Sequence, residues 1–163
     1  VHGKNKRYHY KYIGMGGRLD TIQAAILLAK LPHYKKELEE REKVANSYSN
    51  KIKSNATLPI IKLNRSSVWA QYTLKVKNRD DLKNKLQEKG IPTSIYYPLP
   101  LHLQKCFKNL KYKSGDLPNS EKASKEVISL PMNAFLNKKQ IDYIALNINK
   151  ILLKKKNRNK KLK

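Results

Sequence analysis

An α+β fold is predicted for this chain by three features of its sequence: one stretch of strand-like alternation, several apolar stripes at helical spacing, and Pro, Gly and Asn punctuation between them. At 163 residues, 39% of them hydrophobic, it is long enough for one ordinary domain with a core and short for two large ones.

Taken in order, Asp20 opens a helical pattern in which Ile22, Ile26, Leu27 and Leu31 recur every three or four residues, with Ala24 and Ala25 small enough for close helix packing. Pro32 ends or bends that helix, because it has no N–H and its ring meets the preceding turn. A long amphipathic helix follows, with Tyr34, Leu38, Ala45, Tyr48 and Ile52 on one stripe and the charges of 37–43 mostly on the other sides. SVWAQYTLKV, residues 67–76, alternates with Val68, Ala70, Tyr72, Leu74 and Val76 on one face, which is strand periodicity. Asn78 is placed to cap a short helix carrying Leu82 and Leu86, and Gly90 sits where a helix-ending glycine belongs. Ile91 to Tyr97 reads as a second strand, so that 67–97 is strand, helix, strand. After an irregular stretch from Pro98 to Pro118, helix returns at about Asn119–Val127. Asn137-Lys-Lys-Gln140 then has the form of a capping box ahead of a stripe of Ile141, Ile144, Ile148, Ile151 and Leu152.

The formal net charge of +24 invites a polyanion partner, and a basic nucleic-acid-binding module using the Lys-rich surface and tail is one reading of it. The composition favours a blander one. There are 30 Lys against only 6 Arg, and Arg is the side chain whose planar fork suits phosphate and guanine. The basic excess is spread along the chain, apart from the run KKKNRNKKLK of 154–163, which is expected to be an unstructured tail. A nucleic-acid partner is therefore not expected.

No apolar run approaches the roughly 20 residues needed to span a bilayer, so no membrane partner is expected. The opening VHGKNKRYHYKY lacks the apolar core of a signal peptide and reads like the middle of a longer chain. Cys106 is the only cysteine, which excludes an internal disulfide and any multi-cysteine metal site and fits a reducing, cytoplasmic setting. Metal ligation is not expected. Self-contained catalytic signatures are also missing: there is no HExxH, GxSxG or P-loop, and the Gly14, Gly16, Gly17 cluster has neither the spacing nor the preceding strand of a dinucleotide fingerprint.

Read as a string, HGKNKRYHYKYIGMGGRLDTIQAAILLAKL of residues 2–31 resembles the segment that follows the catalytic core in the DegT/StrS-like family of sugar aminotransferases. The likeness continues through Arg41-Glu42, VWAQYTLKV, the 79–104 block RDDLKNKLQEKGIPTSIYYPLPLHLQ and the 117–132 block LPNSEKASKEVISLPM, and so covers nearly all of 2–153. The resemblance implies the small C-terminal α+β domain of a type I aminotransferase fold in 54–153, preceded by a connecting segment and long helices in 1–53. It also implies a homodimer using pyridoxal 5′-phosphate, with glutamate as amino donor and a keto group on a nucleotide-linked sugar as acceptor, in amino-sugar and surface-polysaccharide synthesis. In that family the Schiff-base lysine lies upstream of the HG of His2-Gly3, so no catalytic residue is expected within these residues, and the chain alone is expected to be inactive.

The family pattern I-G-x-N-x-R-x-D appears here as Ile13-Gly14-Met15-Gly16-Gly17-Arg18-Leu19-Asp20. The resemblance assigns Arg18 to a substrate carboxylate. It puts the cofactor-phosphate contact at Gly16, which replaces the family's Asn and leaves only a backbone N–H to donate. Arg18 also has a physical case, since a guanidinium fork suits a carboxylate and a cation at a helix start opposes the macrodipole. The second site is Tyr96-Tyr97-Pro98-Leu99-Pro100-Leu101-His102, where phenols at a strand end can donate to sugar hydroxyls. Adjacent strand residues face opposite ways, and Tyr97 is preferred over Tyr96. His102 reads equally as a substrate contact or as a satisfied loop histidine. Trp69 and Cys106 read as packing residues.

Overall fold

The computed structural model describes residues 3–160, with side chains to 153. The described chain divides into two compact units, Val1–Pro32 with Ile95–Glu126, and His33–Ser94 with Val127–Lys163. The division therefore does not fall at residue 53. The long second helix belongs with the sheet, because its apolar face is buried there, and 95–126 joins the N-terminal segment.

The second unit holds the core. Helix α2 (Tyr34–Lys51), strand β3 (Tyr72–Lys75), helix α3 (Arg79–Glu88), strand β4 (Val127–Leu130) and helix α5 (Lys138–Lys160) form it; the remaining helices and strands belong to the first unit, and the 3-10 turn Leu31–His33 spans the boundary. β3 and β4 pair antiparallel with Tyr72 opposite Leu130 and Leu74 opposite Ile128. All four of these side chains are buried, together with Val44, Ala45 and Tyr48 of α2, Leu82 and Leu86 of α3, and Ile141, Ile144 and Ile148 of α5. Most of the α2 and α5 stripes thus bury as their spacing dictates, although Tyr34 at the start of the α2 stripe is exposed. Burying Ile148 alone is worth roughly 2 kcal/mol by area.

Polar closure accompanies that packing. The Tyr48 hydroxyl donates to the Pro131 carbonyl at 2.9 Å, and the Tyr72 and Ser49 hydroxyls share a bond of 2.8 Å. Asn149 of α5 grips the end of α2, donating to the Lys51 carbonyl and accepting from the Lys53 amide. The capping box forms as expected: Asn137 Oδ1 accepts from Gln140 N, and Gln140 Oε1 accepts from Asn137 N, each at 3.0 Å. At the end of α3, Gly90 has φ +69°, Ile91 N donates to Leu86 O and Gly90 N to Gln87 O. This is a Schellman motif, whose apolar contact is the buried Leu86–Ile91 pair.

Several expectations are corrected. Asn78 occupies the cap position of α3 without any side-chain bond to the helix. The expected strand 91–97 reduces to one bridge, Ser94 to Ser129, because Pro92 has no N–H and the backbone at Tyr97 turns to φ 56°. The sheet's second strand is instead Val127–Leu130, immediately after helix α4 (Pro118–Glu126). Alternation in 67–76 holds only from Tyr72 on. Trp69 has φ 44°, which breaks the extended run, so Val68 is exposed and Trp69 is buried. Trp69 packs as expected, its ring 5.6 Å from that of Tyr72 and its indole N–H donating to Glu42 Oε2 at 2.5 Å. The backbone of α5 runs on to Lys160, seven residues into the basic stretch expected to be unstructured. The side chains of 154–160 and all of 161–163 lie outside the described residues.

The first unit begins with a hairpin of β1 (Lys4–Lys6) and β2 (His9–Tyr10). Gly3, at φ +71°, accepts from the amides of Lys11 and Tyr12; a Cβ there would run into the Tyr12 carbonyl, so the closure requires glycine. Residues 11–20 are irregular and exposed. Asp20 then caps helix α1 (Thr21–Lys30), accepting from Gln23 N at 2.8 Å. Pro32 ends it in a 3-10 turn, Leu31–His33. The apolar stripe of α1 exists as expected, yet no residue of the helix is buried.

Candidate functional site

Every candidate residue, Gly16, Arg18, Tyr96, Tyr97 and His102, falls in the first unit. Gly16, Gly17 and Arg18 lie in the exposed segment just before α1. A Cβ on Gly17 would meet nothing within 4 Å, so an anion can approach this backbone. Among the described residues Arg18 makes no hydrogen bond or ion pair, which leaves its fork available to a carboxylate. The exposed backbone at Gly17 and the Arg18 fork are open to anionic groups. All described lysines are exposed or half-buried.

Tyr97 is 61% exposed with its backbone in the left-handed region, whereas Tyr96 is half-buried. The preference for Tyr97 rested on strand alternation, and the segment is not a strand; the turn at Tyr97 itself is what presents that ring. His102 takes the satisfied-loop reading. It is 8% exposed, its Nε2 lies 3.2 Å from Glu121 Oε1, and Tyr112 packs edge-on against it.

Glu121 is the hub of that loop, and nothing in the sequence singled it out. It accepts from the Gly115 amide at 2.8 Å and from the Ser114 hydroxyl at 3.1 Å. The Gly115 N–H, then His102, Ser114 and the Leu117 amide, hold its carboxyl below the ordinary glutamate value of 4.5 against a smaller opposing effect of burial. A depressed acid contributes order that is present above 4.5 and lost as pH falls through its lowered value. The loop 113–117 is therefore expected to loosen on acidification below that point, read as loss of protection of the Gly115 amide in NMR exchange. Equal protection on both sides of the transition would sink the assignment. Glu121→Gln should abolish the pH dependence.

Sequence reasoning also missed Gln104 and Tyr8. Gln104 is 3% exposed; its Oε1 accepts from Tyr10 N at 3.0 Å and its Nε2 donates to Tyr8 O at 2.8 Å. It ties the N-terminal hairpin to the 3-10 turn Leu101–Leu103 that follows the tyrosines. The Tyr8 and Tyr97 rings stand 6.1 Å apart, tilted by 57°. The visible signal was only that Gln104 ends the 79–104 block of the resemblance.

Among the described residues no group of His, Cys, Asp and Glu could hold a metal ion, and no helix is long and apolar enough to cross a membrane. The structural neighbours are DegT-type aminotransferases of the type I fold, with mixed helix and sheet. A solved family member from Brucella abortus superposes with TM-score 0.76 and 40% identity, covering 93% of this chain and 41% of that one. The chain belongs to the DegT/DnrJ/EryC1/StrS aminotransferase family, whose family model matches residues 1–149. Aminotransferases of this family use pyridoxal phosphate. Similar curated proteins include the pleiotropic regulatory protein of Geobacillus stearothermophilus, 42% identical over 152 residues, or 91% of this chain and 41% of that protein. Another is the UDP-2-acetamido-2-deoxy-3-oxo-D-glucuronate aminotransferase of Pseudomonas aeruginosa, 41% identical over 145 residues, or 88% of this chain and 40% of that protein. The chain thus spans about two-fifths of the length of these relatives.

Proposed function

We propose that this chain is the C-terminal part, with its connecting helices and small α+β domain, of a cytoplasmic homodimeric aminotransferase. The enzyme moves an amino group from glutamate to the keto group of a nucleotide-linked sugar for surface-polysaccharide synthesis. The observation that carries the reading is the 41% identity to an aminotransferase whose named substrate bears both a keto group and a carboxylate, alongside an exposed, uncommitted Arg18. Helix α1 supports it further. TIQAAILLAK is apolar almost all round, and such a helix is ordinarily covered by more protein.

Bound pyridoxal phosphate would supply the electron sink for amino transfer. The backbone N–H groups at Gly16 and Gly17 would donate to its phosphate, a weaker hold than the family's Asn side chain provides. Arg18 would orient the substrate by its carboxylate, either that of glutamate or that of a uronic acid. Tyr97, and secondarily Tyr96, would donate to sugar hydroxyls. His102 acts at one remove, by anchoring the loop through Glu121.

The test is reconstitution. Co-produced with the lysine-bearing N-terminal half of a relative, the chain should yield amino transfer that neither half shows alone. Incubated by itself with pyridoxal phosphate and reduced with borohydride, it should show diffuse labelling of exposed lysines. Stoichiometric labelling of one lysine of this chain, or turnover by the chain alone, would overturn the reading.

A further inference from the structure

Tyr8 sits at the tip of the N-terminal hairpin with φ 64°, and Tyr97 follows the bridge at Ser94 with φ 56°. A positive φ is rare for so bulky a residue, and two such residues with neighbouring rings are unusual. Surrounding polar groups hold the pair in place. The buried Gln104 carboxamide meets the carbonyl of Tyr8 and the amide of Tyr10, two groups whose opposite polarity fixes which end of the amide faces which. A longer bond of 3.4 Å to the Leu99 carbonyl ties the same side chain to the segment carrying Tyr97. Around the aromatic pair the hairpin is basic. Lys4, Lys6, Arg7 and Lys11 are exposed, residues 3–12 contain no acid, and the Arg7 guanidinium lies 5.1 Å from the centre of the Tyr8 ring.

An aromatic pair fixed in advance, Tyr97 exposed and Tyr8 half-buried, and flanked by uncompensated cations suits a ligand with a flat ring joined to phosphates. We propose that Tyr8, set against Tyr97 by Gln104, is a further substrate-contact residue that takes the pyrimidine ring of a nucleoside diphosphate, with Arg7 and its neighbouring lysines taking the phosphates. The proposal rests on the nucleotide-sugar reading and assigns the nucleotide end of that substrate. Gln104 is a positioning residue in it: it touches no ligand and acts by holding the hairpin.

The whole 163-residue chain is titrated with uridine diphosphate, inorganic pyrophosphate and uridine, following amide shifts by NMR. A chain of this charge attracts any polyphosphate, so the informative quantity is the preference for uridine diphosphate over pyrophosphate, expected to be about tenfold. Tyr8→Asn keeps net charge and is at ease with positive φ, and it should erase that preference; Tyr8→Phe should retain it. Gln104→Leu should expose the Tyr10 amide to exchange and weaken uridine diphosphate binding about tenfold, leaving pyrophosphate binding unchanged. Equal binding of uridine diphosphate and pyrophosphate by the parent, or an undiminished preference in Tyr8→Asn, overturns the proposal. So does a Gln104→Leu chain that exchanges faster yet binds uridine diphosphate as the parent does. Amino transfer by the paired halves without any such preference would leave the aminotransferase reading standing and sink this subsite alone.

Discussion

Replacing Ile148 by aspartate is expected to unfold the sheet-bearing unit. Ile148 is fully buried on α5, in one core cluster with Tyr48, Leu74 and Ile128. A carboxylate there loses its hydration with no partner to replace it, and the side chain's apolar contacts are lost as well. The combined cost is at least about 4 kcal/mol, against a total stability of about 5 to 15 kcal/mol for an ordinary domain. Trp69 is the chain's only tryptophan and lies in the same unit, so its fluorescence reports the transition. The mutant should show a red-shifted emission or a strongly lowered unfolding midpoint. Leu146→Asp on the same helix is the control, because Leu146 is 50% exposed and the change should cost no more than about 1 kcal/mol. Equal midpoints for the two variants would show that the α5 stripe does not carry the core.

The second large effect is expected at Arg18 in the reconstituted enzyme. A guanidinium that grips a carboxylate through two parallel bonds is not replaced by an ammonium of the same charge, so Arg18→Lys should slow turnover. The loss should be roughly 1.5 to 3 kcal/mol in apparent transition-state binding, about ten- to 150-fold. It should appear chiefly in the half-reaction whose substrate carries the carboxylate. Single-turnover measurements with glutamate and with the nucleotide sugar, run separately, would identify that acid. If Arg18→Lys and Arg18→Ala both left each half-reaction within about twofold of the parent, a shift of only about 0.4 kcal/mol, Arg18 would be a surface residue at a helix start.

Local interactions were legible in the sequence because their partners lie within a turn of one another. The Asp20 cap, the Asn137–Gln140 box and the Gly90 helix end each need only the next few residues, and all three formed. The apolar stripes of α2 and α5 were readable for the same reason, since spacing alone decides which side chains share a face. The family resemblance, carried by strings such as IGMGGRLD and SIYYPLPLHLQ, was also a property of the sequence. Tertiary structure decided whatever depended on a single backbone torsion or on distant partners. The left-handed turn at Trp69 reset the parity of its strand, and β4 formed beside β3 although some fifty residues separate them. His102 proved an anchored loop histidine only because Glu121 folds back to it. Gln104 reaches Tyr8 across 96 positions, and the Tyr8–Tyr97 pairing requires two unusual torsions at once. Such contacts leave no periodic trace, because they are fixed by the three-dimensional meeting of segments rather than by the spacing within any one of them.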